Sequence, residues 1–139
     1  MIWHRDYSLQ EVQAWAHKNM VAHLGIEFCD LGPEHLSARM PVDSRTMQPF
    51  GILHGGASCV LAETVGSVAS GCVLNASTHT AVGLEINANH VRSVDQGWIT
   101  ATARAIHLGK KTHIWDIRIE NQQNKLVCIS RLTMAVLAL

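Results

Sequence analysis

The spacing of hydrophobic residues changes along this chain, and each change predicts a different element. Between Leu24 and Val42, apolar side chains recur at every second position on either side of Gly32-Pro33. A period of two is typical of a strand with one buried face, and a Gly-Pro pair favours a turn. The pattern therefore predicts two antiparallel strands, around residues 24–28 and 36–42.

Two segments have helical features instead. Ser8 and Glu11 have the spacing of a capping box, which predicts a short helix directly after Ser8. Further along, apolar residues recur at intervals of three and four between positions 57 and 68. This second pattern predicts a long helix from Gly55 to about Ser70.

After Gly71 the chain alternates apolar and polar residues and is rich in β-branched side chains. The alternation predicts four strands, around residues 82–86, 99–106, 115–119 and 126–137. Turn-forming residues at Gln96-Gly97, Gly109-Lys110 and 121–124 predict hairpin connections. Residues 43–53 are expected to form a loop that leads into the long helix.

One long helix between early strands and a later run of antiparallel strands predicts an α+β domain, with the sheet wrapped around that helix. The length of 139 residues fits a single domain, 1–139, and no repeat or linker divides it. The apolar fraction of 47% is somewhat high for a monomer, so we expect an oligomer.

Charge and cysteine content exclude several classes of function. Eleven basic and eleven acidic residues cancel, so no broad field would attract nucleic acid or an anionic membrane. Neither a signal peptide nor an apolar stretch of about 18 residues is evident, which predicts a cytoplasmic protein. The four cysteines form no CxxC pair, so we expect free thiols.

One face of the predicted long helix combines small residues with a single carboxylate, Glu63. Wrapping by a sheet would take this carboxylate out of bulk water, and no basic residue lies at helical spacing to pair with it. Gly56 and Gly66 each cost about 1 kcal/mol relative to alanine, which predicts close approach by a ligand or another backbone. A structural, exposed glutamate is the alternative. The members of this face are Gly56, Cys59, Glu63, Gly66, Ser67 and Ser70.

The start of the same helix offers backbone donors. At Gly55-Gly56 the free N–H groups of the first turn are uncovered, and the helix dipole favours a developing negative charge there. A flexible junction is the alternative explanation. Gly55 and Glu63 are eight residues apart, which is about 12 Å along a helix and too far for both to act on one carbonyl carbon. If they act together, two copies of the helix must meet across a two-fold axis.

Other chemistries have less support. The HGG sequence at His54 also occurs in lipases, but the chain has no GxSxG motif, so Ser58 and Cys59 are poor candidates for a nucleophile. The histidines are scattered without metal-ligand spacing. We therefore expect neither a metal nor another cofactor.

The segment from Gln48 to Thr64 resembles the HGG…E signature of the PaaI-type hotdog thioesterases. Residues 1–3, 40–46, 82–90 and 107–109 are similar to one branch of that family, the thioesterases that hydrolyse 1,4-dihydroxy-2-naphthoyl-CoA in menaquinone synthesis. The proofreading thioesterases of enterobactin synthesis form a sister branch. The resemblance covers nearly the whole chain.

This resemblance implies a hotdog fold that assembles as a dimer of dimers, with acyl-CoA sites at subunit interfaces. It implies that Glu63 is the base or nucleophile and that the N–H of Gly55 polarises the thioester carbonyl. It also places Gln48 and His54 near the carbonyl and the leaving sulfur, and gives Thr64 a role in orienting water.

The resemblance further implies an acyl pocket lined by Ser67, Val68 and His90. A neutral protein needs a local grip on the phosphates of CoA. Residues near predicted strand ends could supply it, although lysines at a hairpin are more often solvated: Arg92, His107, Gly109, Lys110 and Lys111. Two alternative functions stay open, hydrolysis of mischarged aryl carrier protein and non-catalytic binding of acyl-CoA.

Overall fold

A capping box starts the first helix. In the computed structural model, which describes residues 1–139, the Glu11 N–H donates to Ser8 Oγ at 3.2 Å, and the Ser8 N–H donates to the Glu11 carboxylate at 2.8 Å. These bonds lower the pKa of Glu11. The predicted helix is therefore confirmed as α1, Leu9–Ala16, and an unpredicted short helix α2, Asn19–His23, follows it.

Six antiparallel strands form one sheet that packs against a single long helix. In chain order the remaining elements are β1 Glu27–Leu31, β2 His35–Pro41, α3 Gly55–Val73, β3 His79–His90, β4 Trp98–Leu108, β5 Thr112–Asn121 and β6 Leu126–Ala138. The strand order is β1-β2-β4-β5-β6-β3. The predicted α+β class and the predicted helix are thus confirmed, with α3 three residues longer than expected.

The first strand begins later than its apolar pattern predicted. Leu24 ends α2 and Gly25 turns the chain with φ of 70°, so the ladder starts only at Glu27. Leu24 and Ile26 are nevertheless buried. A helix end followed by a turn can bury alternate residues as a strand does, which is why the pattern misplaced this boundary.

Two of the three predicted hairpins are confirmed, at residues 109–111 and 121–125, where β4 meets β5 and β5 meets β6. The hairpin predicted at Gln96-Gly97 is wrong. β3 pairs with β6, whereas β4 pairs with β2 and β5. The segment after β3 therefore has to pass β6 and β5 before the chain enters β4, because β6 rather than β4 occupies the place beside β3.

Helix α3 packs closely on the sheet at Gly66. A Cβ at this position would lie 2.5 Å from Leu132 Cδ2 and 3.1 Å from Ile117 Cδ1. The close approach at this glycine is therefore made by side chains of the chain's own sheet, and not by the ligand or second backbone that the sequence predicted. By length and hydropathy (19 residues, 1.3) α3 could cross a membrane, but half of it is buried inside the fold, which accounts for its apolar composition.

A β-bulge in β3 changes which residues face the helix. The ladder with β6 shifts between Gly83 and Glu85, so Leu84 is the extra residue. Before the bulge an odd-numbered residue, Gly83, has its Cβ direction toward α3. After the bulge the even-numbered residues Ile86 and Ala88 pack against the core. The predicted alternation of Val82, Leu84 and Ile86 on one face is therefore wrong, since Val82 is 46% exposed and Leu84 is 62% exposed.

A polar cluster is buried between α3 and β5. The indole N–H of Trp115 donates to Ser70 Oγ at 2.8 Å, and His113 Nδ1 lies 3.1 Å from the same oxygen. All three residues are almost fully buried. Burial, with a smaller contribution from the charge of His107, lowers the pKa of His113. A neutral His113 is therefore part of the folded state.

We expect stability to fall in acid because of His113. Its pKa is lowered from 6.5 in the folded chain, so between the two values the unfolded chain binds more protons. The contribution of neutral His113 is present above the unfolded value and is lost as the pH falls through the lower folded value. Urea unfolding across this range should show a shallower pH dependence for His113→Gln than for wild type. Equal slopes would contradict the prediction.

Candidate active site

The start of α3 is capped by an imidazole. The Gly56 N–H donates to His54 Nδ1 at 2.8 Å. A ring nitrogen that accepts a hydrogen bond carries no proton, so neutral His54 carries its proton on Nε2. The side chain of His54 is exposed. The Nε2–H of His54 can therefore donate a hydrogen bond to a ligand bound beside the start of α3.

The N–H of Gly55 is a free donor. It donates to no group of the chain, while the neighbouring Gly56 N–H is occupied by the cap. A Cβ at Gly55 would lie 2.8 Å from His90 Nε2 at the end of β3. A side chain at position 55 would therefore require the His90 ring to move. The free N–H lies at the positive end of the helix dipole.

A groove of about 420 Å³ runs past this free donor. Gln48 lies at its edge, and the side-chain oxygen of Gln48 accepts a hydrogen bond from the N–H of Phe50. That leaves the amide NH₂ of Gln48 available as a donor. We call this the Gly55 groove; its polar lining is Gln48, Gly55, Ser58, His90, Arg92 and Ser93.

Ser58 was set aside as a nucleophile from the sequence, and the structure gives it different surroundings. Ser58 is 1% exposed and its hydroxyl has no hydrogen-bond partner, yet the residue lines the Gly55 groove. An unpartnered buried hydroxyl is unusual, because each such group costs about 1–3 kcal/mol. No base lies in hydrogen-bond contact with it, so the structure also gives no support for a serine nucleophile.

Glu63 lies in a second groove, of about 460 Å³. Its carboxylate takes part in none of the salt bridges of the chain, as expected from the absence of nearby basic residues. The expectation that the sheet would remove Glu63 from water is wrong for the single chain. Glu63 is exposed, because its carboxylate lies beside β3, the strand at one edge of the sheet.

Several residues that the sequence placed near Glu63, among them Thr64, Ser67 and Val68, line this second groove, which we call the Glu63 groove. The hydroxyl of Thr64 donates to the Val60 carbonyl at 2.7 Å, so its oxygen can only accept further bonds. Sequence reasoning missed Met20 and Val21 of α2, because the pattern did not predict that helix. The full lining is Met20, Val21, Cys59, Val60, Glu63, Thr64, Ser67 and Val68.

Cys59 shares the Glu63 groove but is held as a thiol. Burial, with a smaller contribution from the negative charge of Glu63, raises its pKa. The nucleophilic form of cysteine is the thiolate, and this environment disfavours it. The electrostatics agree with the sequence argument against Cys59 as the nucleophile.

The two grooves share no lining residue and lie at different points along α3. Helix α3 runs antiparallel to β3, with Gly55 beside His90 and Glu63 beside Gly83. His90 therefore belongs to the Gly55 groove and is separated from Ser67 and Val68, with which the sequence grouped it. One chain alone does not bring the predicted donor and carboxylate together.

The residues predicted to bind the phosphates of CoA also lie in two separate places. Arg92 lines the Gly55 groove, near the end of the sheet where His90 pairs with Cys128. The other members, His107, Gly109 and Lys110, lie at the β4–β5 hairpin, where Thr112 pairs with Ala135. Seven residues of β6 separate these levels, which is about 23 Å. A single chain cannot use both ends for one phosphate group.

Comparison with known proteins identifies a family and relatives that match nearly the whole chain. The sequence profile of the thioesterase superfamily matches residues 50–128. A 1,4-dihydroxy-2-naphthoyl-CoA hydrolase of Escherichia coli K12 is 50% identical over 99% of this chain and 100% of that protein. The proofreading thioesterase EntH of Cronobacter turicensis is 46% identical over 99% of both chains.

A solved structure matches equally well. A glutamine-to-alanine variant of the thioesterase PA1618 from Pseudomonas aeruginosa has a TM-score of 0.97 and 50% sequence identity, and the alignment covers 100% of both chains. The similarity therefore extends over the whole fold.

The His54 cap predicts a separable effect on stability. His54→Ala removes the acceptor of the Gly56 N–H and should lower the free energy of unfolding by about 1 kcal/mol, as loss of a helix cap does. His54→Asn restores an oxygen acceptor and should recover most of that loss, although it does not restore Nε2–H. Urea unfolding of both variants checks this, and an equal loss in both would contradict a capping role.

Proposed function

The chain belongs to the thioesterase superfamily and is a thioester hydrolase, and we propose that it hydrolyses an aromatic acyl-CoA, with 1,4-dihydroxy-2-naphthoyl-CoA as the first candidate. Its six strands around α3 form the hotdog fold that the sequence predicted. The choice of acyl group is supported by the Escherichia coli relative, whose name specifies that substrate.

The proposal is based on one observation: helix α3 carries a free N–H donor at Gly55 and an unpaired carboxylate at Glu63, and the two are far apart. The Gly55 N–H and Glu63 each lie in an open groove, and eight residues of α3 hold them about 12 Å apart. A working thioesterase site needs both groups at one carbonyl. We propose that Glu63 of one subunit works with the partner subunit's Gly55.

The exposed edge of β3 supports this arrangement. β3 pairs with β6 on one side only, and its outer face carries the exposed side chains of Val82 and Leu84. An unpaired strand edge with apolar residues is prone to pair with another chain. Antiparallel pairing with a second β3, centred near Ile86 and Asn87, would set Gly83 opposite the partner subunit's His90. That register would bring Glu63 to the partner's Gly55 groove.

The proposed chemistry uses a base and an oxyanion donor. Glu63 takes a proton from water while the water oxygen bonds to the thioester carbon, and the carbonyl oxygen gains negative charge. The partner subunit's Gly55 N–H stabilises that charge, and such donors are typically worth about 10²–10³ in rate. Collapse of the intermediate breaks the C–S bond, and the departing CoA thiolate receives the proton that Glu63 took from water, which returns Glu63 to its carboxylate form. The products are the free acid and CoA.

A covalent route uses the same groups. The Glu63 carboxylate attacks the thioester carbon, the C–S bond breaks, and water then hydrolyses the resulting anhydride. A single turnover in ¹⁸O-labelled water tests for the anhydride. Label in the Glu63 carboxylate indicates an anhydride that water opens at the glutamyl carbon, whereas label only in the released acid fits either direct attack by water or opening of the anhydride at the substrate's acyl carbon.

The remaining predicted residues fit this shared site. The His54 Nε2–H and the Gln48 amide would donate near the carbonyl and sulfur, while Thr64, Ser67 and Val68 of the other subunit line the acyl side. The same pairing would bring Arg92 of one subunit toward the partner's β4–β5 hairpin. The two groups of residues predicted to bind CoA phosphates would then lie on the same side of one shared site. Four free cysteines support a reducing, cytoplasmic location.

The second candidate substrate is an aryl group mischarged on a carrier protein. The observation that favours it is the 46% identity to a proofreading thioesterase over the whole chain. A binding module without catalysis is a weaker alternative, because binding needs neither an unpaired carboxylate nor a free N–H at a thioester.

We expect purified protein to hydrolyse aryl-CoA thioesters and Glu63→Gln to lower kcat by about 10²–10⁴, the usual contribution of a general base. Thiol release measures the rate across a panel of naphthoyl-, benzoyl- and alkyl-CoA. The matched control is Glu34→Gln, an exposed acid outside both grooves, which should keep the wild-type rate. Equal rates for wild type and Glu63→Gln would remove Glu63 from the mechanism.

The same assay orders the two substrate classes. A higher kcat/KM for an aryl-loaded carrier protein than for naphthoyl-CoA would overturn the proposed order. Binding across the CoA panel without turnover would favour the binding module instead.

The shared site predicts complementation between inactive variants. Glu63→Ala and Gln48→Ala each damage a different half of the site, so mixed dimers contain one intact site. Random re-pairing of equal amounts should restore activity to about one quarter of the wild-type sites. Measuring activity after unfolding and refolding the mixture checks this. If both groups act within one chain, the mixture gains nothing over its separate components.

A further inference from the structure

Glu63 reaches across to β3 at a position that has no side chain. Its Oε2 lies 2.9 Å from where a Cβ of Gly83 would stand. Real Cβ atoms essentially never approach another atom so closely, so any other residue at position 83 would have to move the carboxylate. Gly83 has no positive φ angle that would itself call for glycine.

The β-bulge aims Gly83 at the carboxylate. Leu84 is the extra residue of the ladder, and Gly83 lies directly before it with its missing side chain directed at α3. Bulges often lie beside functional sites, where they redirect a side chain. Here the redirected residue is a glycine, and the Glu63 carboxylate lies where a side chain of that residue would be.

We propose that Gly83 is a positioning residue, whose lack of a side chain lets the Glu63 carboxylate lie against β3 in its working position. The proposal rests on the proposed role of Glu63 in thioester hydrolysis. Gly83 lies beside Glu63 and acts only through it.

A methyl group at position 83 should change the carboxylate more than the fold. The only atoms within reach of the added Cβ are two atoms of the Glu63 carboxyl group and, at 4.0 Å, Met134 Sδ. Glu63 is exposed and held by no salt bridge, so its side chain can rotate away at little cost in stability. Alanine is also no worse than glycine in a strand.

Gly66→Ala is the matched control, since it adds the same methyl group at a site that faces the core and not Glu63. Its Cβ would meet Leu132 in the core, 2.5 Å away, and no atom of Glu63. We therefore expect Gly66→Ala to lower the unfolding temperature while the folded enzyme keeps its kcat. Gly83→Ala should show the reverse.

The test is the steady-state hydrolysis of benzoyl-CoA by Gly83→Ala. We expect kcat to fall by about tenfold to hundredfold, as a misplacement of about 1 Å can cause, with little change in KM and in the unfolding temperature. In a Glu63→Gln background, the same substitution should have no further effect on the residual rate, because the group that it displaces is already inactive.

Three results would overturn the proposal: wild-type kcat in Gly83→Ala, an equal further loss in the Glu63→Gln background, or dissociation of Gly83→Ala subunits by sedimentation, which would assign Gly83 to assembly. Failure of the proposed function looks different. In that case wild type would not hydrolyse aryl-CoA, or Glu63→Gln would be as active as wild type.

Discussion

The rise of an α-helix is the constraint on which the proposed site depends. About 1.5 Å per residue separates successive positions, so the eight residues from Gly55 to Glu63 span a length that no side-chain rotation removes. The structure accordingly has two grooves along α3, each containing half of the polar groups of the proposed thioester site. Chemistry that uses both halves requires two copies of α3.

The alignment of α3 with β3 supplies the rest of the geometry. His90 covers Gly55 at one end, and Gly83 receives the Glu63 carboxylate further along. The bulge at Leu84 lies between these contacts and shifts the helix-facing positions from odd to even. Without that shift, the strand could not direct both Gly83 and His90 toward the same helix.

Hydrogen bonding at the helix start explains why the donor is available. Four N–H groups at the start of any α-helix lack a partner within it. His54 accepts from Gly56, and this leaves the N–H of Gly55 free beneath His90. The cap therefore stabilises the helix and selects the donor, and it also sets the tautomer of His54, so that the Nε2–H faces outward.

The sequence by itself determined the features that depend on neighbouring residues: the Ser8 capping box, the long helix from Gly55, the later hairpins and the eight-residue spacing to Glu63. Periodicity and turn chemistry are local, so they can be read along the chain. Only the tertiary structure decided that β6, not β4, lies beside β3, that a bulge reverses the faces of β3, and that Glu63 is exposed. Each of these follows from packing between residues far apart in the chain, which no local pattern records.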